Sequence, residues 1–219
     1  RWILHRLNEA ARAVSQALES WRFNDAAQAA YSYFWDDFCD WYIEVSKLST
    51  KSGDEREKDR ATTVLLNVLD ASLRLLHPFL PFVTEEIYGM LPNAEGRLIS
   101  ASYPEWTVAR ESPEIQAHFE ALKEIVTLVR TLRSEFQISP EVPIPLSLVF
   151  DGGYAHAAFI REHAALISLL TVASSVSTGS AGGAAREGSV SLAGNGVTIH
   201  VQVRGLLDIA RLVDRLSKE

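Results

Sequence analysis

Apolar residues recur at helical spacing through the first 136 positions, and that period stops at Pro140. A chain patterned this way folds as packed helices followed by a smaller unit of different build. Ile3, Leu7, Ala10, Val14 and Leu18 mark a first helix ending near Ser20. Asn24, a good N-cap residue with Gln28 in support, predicts the start of a second, running to about Leu48. The polar stretch Ser49 to Asp59, with Gly53, reads as a loop. Leu65, Leu66, Leu69, Leu73 and Leu76 stripe a third helix over Thr62 to Leu76. Pro78 and Pro81 break it, because each lacks an N–H and restrains the residue before it. Phe82 to Leu91 and Pro113 to Phe136 predict two further helices. Beyond Pro140, Ile144 to Phe150 is a strand, Ala155 to Leu170 a helix and Val172 to Ser177 extended. Gly179 to Gly188 is a small-residue segment. Ser189 to Ala193 and Val197 to Val203 alternate in strand fashion around Asn195-Gly196, a two-residue hairpin turn. Leu206 to Leu216 opens one more amphipathic helix. The fold class is mainly α: a helical bundle over 1–139, a small α+β subdomain over 140–204, and the start of an arm over 205–219.

Within the second helix, YFWDDFCDWYIEVSK (33–47) crowds rings and carboxylates together. At about 100° per residue, Tyr31, Phe34, Trp35, Trp41, Tyr42 and Val45 fall within about 60° of Phe38. That stripe is expected to be the spine of the bundle. Tyr33, Asp36, Asp40, Glu44 and Lys47 fall on the opposite face, with Ile43 among them. Ile43 either packs beneath a neighbouring helix or offers a flat apolar contact to a splayed base, with Glu44 beside it. A carboxylate repels phosphate but accepts from an exocyclic amino group such as cytosine N4. RNA sequence is read in single-stranded loops, through base edges and stacking. Phosphate contacts then fall to Lys47, or to Arg130 and Arg133 on the fifth helix; all three can equally be solvated surface cations.

The formal charge of −7 argues against a bulk basic surface for DNA or anionic membrane. One cysteine, Cys39, allows neither an internal disulfide nor a Cys-rich zinc site, and fits a reducing cytoplasm. No apolar run approaches the roughly 18 residues of a membrane span. Arg1 opens the chain inside an amphipathic pattern, as expected of a fragment. No His-Glu-x-x-His, Gly-x-Ser-x-Gly or phosphate loop appears, and no carboxylate or Cys completes a metal site with His156 and His163. Neither catalytic nor metal-binding residues are expected here. A helical protein-interaction module is the competing reading.

FCDWYIE (38–44), LLHPFLPFVTEEIY (75–88), VRTLRSEFQISP (129–140) and GLLDIARLVDRLSKE (205–219) together resemble the C-terminal anticodon-binding region of bacterial-type valine–tRNA ligases, which are class I aminoacyl-tRNA synthetases. The resemblance runs in order along essentially the whole chain. HPFLPFVTEE is shared with the related isoleucyl enzymes, and an isoleucyl or leucyl relative is the alternative branch; FCDWYIE and the GLLDIARL onset point to the valyl branch. The resemblance implies an enzyme that activates valine with ATP and Mg and attaches it to tRNA(Val), acting as a cytoplasmic monomer. Its HIGH-type and KMSKS-type motifs, editing domain and an earlier bundle helix are not in this sequence. This fragment is then expected to need no cofactor and to be inactive alone. The positions matching Ile43 and Glu44 lie, in that family, against the third anticodon base, and the final helix opens a coiled-coil arm.

Overall fold

The computed structural model describes residues 1–92, 94–180 and 189–202, apart from the side chain of Ser180. The expected arm over 205–219 lies outside the described residues. The chain forms two compact units, Arg1–Gln116 and Ala117–Glu219.

The first unit is helical. Helix α1 (Trp2–Glu19) buries Ile3, Leu7, Ala11 and Val14, as its spacing requires. It packs against α2 (Phe23–Ser32) and α4 (Glu55–Leu76). A π-helical segment (Tyr33–Tyr42) and α3 (Ile43–Thr50) follow α2 without a break, because Ser32, Tyr33, Tyr42 and Ile43 all keep right-handed helical dihedrals. The second expected helix is therefore one continuous rod. It begins at Phe23, with Arg22 rather than Asn24 at the cap position, and the Arg22 guanidinium donates to Asp25 at 3.0 Å. Helix α4 starts seven residues ahead of the expected Thr62. Asp54 caps it, accepting from the Arg56 N–H at 2.9 Å. EREKDR is polar but helix-favouring, so most of the expected 49–59 loop is helix.

Pro81 begins α5 (Pro81–Gly89) at its first turn, where a missing N–H costs nothing. Leu73, Tyr88 and Leu98 then form a small buried cluster. The irregular segment beyond is tied to the helices by specific bonds. The Tyr103 hydroxyl donates to the Leu75 carbonyl (3.1 Å), and burial raises its pKa to about 12. Thr107 N–H donates to Asn8 Oδ1, and Ser112 N–H to His5 Nδ1.

Helix α6 (Pro113–Glu135) crosses the division between the units. The division at 116/117 lies ahead of the boundary expected at 139/140, and the bonds made by α6 give it a chemical basis. His118 meets His156, Glu124 accepts from the Asn195 N–H, and Arg133 bonds carbonyls at 139, 142, 171 and 172. Most of the helix therefore belongs with the strands.

Those strands are β1 (Ile144–Phe150), β2 (Ala173–Ser180), β3 (Ser189–Ala193) and β4 (Val197–Gln202), ordered β2-β1-β4-β3. β1 is parallel to β2 and antiparallel to β4. The parallel step needs a crossover, supplied by α7 (Ala157–Glu162) and α8 (Ala164–Thr171). The single helix expected over 155–170 is interrupted at His163, whose dihedrals leave the helical range.

The hairpin turn at Asn195-Gly196 forms as expected, with Ala193 opposite Thr198. Gly196 adopts φ +76°, and a Cβ there would lie 2.4 Å from the Tyr154 ring, itself stacked on Phe150. Gly196→Ala is expected to destabilise the second unit by about 2 kcal/mol or more, combining left-handed strain with overpacking. Urea titration followed by circular dichroism measures it; an unchanged midpoint would contradict the clash.

Candidate nucleic-acid interface

The rod over 23–50 carries the site, and its π segment decides which side chains face outward. In an i→i+5 helix, residues five apart share a face, whereas 100° steps set them about 140° apart. Tyr33 and Phe38 are five apart, and both are buried, at 2% and 3% exposed. Tyr33, expected on the polar face, is therefore a core residue, and its burial pushes the phenol pKa well up. Asp37 turns inward as well, and the Arg6 Nε donates to its carboxylate at 2.8 Å.

The wide turn also corrects the expected ring stripe. Phe38 is core, and Phe34, Trp41, Tyr42 and Val45 are half-buried. Tyr31 and Trp35 are exposed, at 52% and 51%. Seven rings fall within residues 31–42, more than one face of a single helix can bury. That excess was the sequence signal for an exposed pair. Cys39 sits half-buried in the same segment; burial first, then the neighbouring Asp40, raises its thiol pKa, which disfavours a thiolate nucleophile.

On α3, Ile43 is exposed rather than covered by a neighbouring helix. Glu44 and Lys47 are half-exposed and form an i,i+3 ion pair, with Lys47 Nζ donating to Glu44 Oε1. The buried Ser46 anchors the opposite side of this turn, its hydroxyl donating to the Ile43 carbonyl at 2.8 Å. An open aliphatic surface therefore lies beside an accepting carboxylate whose position is held by its own cation. Ile43, Glu44 and Lys47 are brought together as the spacing requires.

The two arginines lie in the second unit. Arg130 is exposed on α6. Arg133 is not a surface cation: it is 6% exposed, with Nη1 donating to the Ser139 carbonyl and Nη2 facing those of Val142, Thr171 and Val172 at 2.9–3.0 Å. Its guanidinium is committed to backbone, so the expected phosphate role is withdrawn. Desolvation lowers its pKa from the ordinary arginine value.

Among the described residues, no three His, Cys, Asp or Glu side chains gather to hold a metal ion. His156 and His163 have separate partners: His156 Nδ1 meets His118 Nδ1 at 2.8 Å, and His163 Nδ1 bonds the Phe159 carbonyl. No described helix is long and apolar enough to cross a membrane.

Residues 1–148, which include the whole rod, match a family described as the anticodon-binding domain of tRNA ligase. Across its full length the chain is 43% identical to a valine–tRNA ligase of Treponema denticola and 37% identical to that of Geobacter sulfurreducens, covering 25% of each. The valine–tRNA ligase of Aquifex aeolicus is 33% identical over the full chain, which covers 20% of it. The chain thus spans about a quarter of the length of the curated relatives it matches. The chain belongs to the anticodon-binding domain family of tRNA ligases.

Proposed function

We propose that this chain is the tRNA-reading part of a valine–tRNA ligase and works by binding, with the reaction carried out elsewhere in a longer enzyme. The observation that carries this reading is the open Ile43, Glu44 and Lys47 turn, held on a rigid rod inside the family-matched residues. Ile43 packs against one unpaired base of the anticodon loop. Glu44 accepts from the exocyclic amino group of that base, the third anticodon base, cytosine, and Lys47 keeps the carboxylate aimed. Arg130, exposed on α6 in the second unit, offers a cation for phosphate. The longer enzyme, a cytoplasmic monomer, uses ATP and Mg to activate valine and esterify it to tRNA(Val). Docking the anticodon orients the acceptor end toward the distant active site, a positioning effect.

A gel shift with a short hairpin RNA carrying the anticodon loop of a valine tRNA tests the proposal. Glu44→Gln and Ile43→Ala are each expected to weaken binding by about 1–3 kcal/mol. Changing the third anticodon base should weaken the native chain similarly and leave Glu44→Gln unaffected. Equal binding of every RNA by every variant would remove the assignment.

A further inference from the structure

From Tyr31 onward the exposed residues of the rod, its solvent-facing edge, are Tyr31, Trp35, Asp36, Asp40, Ile43 and Leu48. Two of its rings stand together. Tyr31 and Trp35 are parallel within 4°, with centroids 6.3 Å apart, and each has about half its surface in water. Half-exposed aromatic side chains that stand parallel leave apolar area unburied on a helix whose Tyr33 and Phe38 already fill the interior. A π segment, a form that concentrates at functional sites, begins between these rings and ends where the Ile43 turn begins.

We propose that Tyr31 and Trp35 form a second platform on which an unpaired base of the anticodon loop stacks, next along the rod from the base held at Ile43. The inference rests on the reading of the chain as an anticodon-loop binder. Ring faces accept any base, and the neighbours narrow the choice. Asp36 and Asp40 are exposed on the same edge and have no donor to offer. They repel phosphate and favour a base edge that offers an exocyclic amino donor, from adenine, cytosine or guanine, over an edge that presents carbonyl oxygens. The same two carboxylates disfavour docking along the sugar–phosphate backbone. The rod therefore contacts the loop through its bases, with cations beyond this edge left to hold the phosphates.

The test uses the full chain and the same valine-anticodon hairpin, intact and in versions that each lack one loop base. Trp35→Leu is expected to weaken binding of the intact hairpin about tenfold to hundredfold, while Trp35→Phe retains most of it. On one base-less hairpin, already weakened, Trp35→Leu should make no further difference; that hairpin identifies the stacked base. A Trp35→Leu penalty that is equal on every hairpin and absent from none overturns stacking, as does an unchanged affinity for the intact hairpin. If Glu44→Gln weakens binding and Trp35→Leu does not, only this inference falls. If the native chain binds no hairpin, the anticodon reading itself falls.

Discussion

Replacing Arg133 with Met is expected to destabilise the second unit by about 4 kcal/mol, a large share of the roughly 5–15 kcal/mol that holds a domain folded. The side chain is nearly isosteric along its stem, so the loss is chemical. Four carbonyls, from Ser139, Val142, Thr171 and Val172, face the guanidinium, and three of them share Nη2. The Ser139 and Val172 carbonyls keep backbone donors, the N–H groups of Val142 and Ile144, whereas those of Val142 and Thr171 lose the guanidinium that bonds them. Each buried acceptor left without a donor costs about 1–3 kcal/mol, and bonds from a charged donor are the stronger kind. Val172, which adopts a left-handed φ of +51°, is held in that conformation beside this clamp. Arg133→Lys should recover little, because one ammonium cannot reproduce a planar fork reaching four acceptors. Guanidinium denaturation followed by circular dichroism gives the loss directly. A shift under about 1 kcal/mol would mean that the carbonyls find other donors.

The second large effect is expected at Arg6 and Asp37, and it is asymmetric. The Asp37 side chain is 6% exposed and the Arg6 side chain 32% exposed. Arg6→Ala strands a buried carboxylate without its guanidinium, and about 3 kcal/mol should be lost. Asp37→Asn leaves an arginine that reaches water and an amide that still accepts, so about 1–2 kcal/mol is expected. Thermal melts of the two variants decide the order. If Asp37→Asn proves the more damaging, the pair is not what holds the π segment inward.

These two sites show where the amino-acid pattern was sufficient and where it was not. The apolar spacing of α1, the prolines before α5 and the Asn195-Gly196 hairpin each act over a few residues, and each reads straight from the chain. The start of α4 was also local, in Asp54 and the helix-favouring residues after it, but polarity masked it. Arg133 could not be read, because its four acceptors are spread over 34 positions of sequence and meet only in the folded unit. The site divides the same way. Ile43, Glu44 and Lys47 sit within two helical turns and were legible together. Tyr33, Tyr31 and Trp35 were misplaced because a 100° wheel assumes a helical pitch that the chain abandons between Tyr33 and Tyr42.

That departure has a geometric consequence. Each wide turn takes up one residue more than an α turn, so the segment acts as a phase adjuster between the two ends of the rod. It fixes the azimuth at which α3 emerges relative to α2, and with it whether Ile43 looks toward solvent or toward the interior. Which side of this helix faces solvent is therefore encoded in a count of residues, and shortening that count by one would rotate the downstream end by about 100° without altering a single side chain on it.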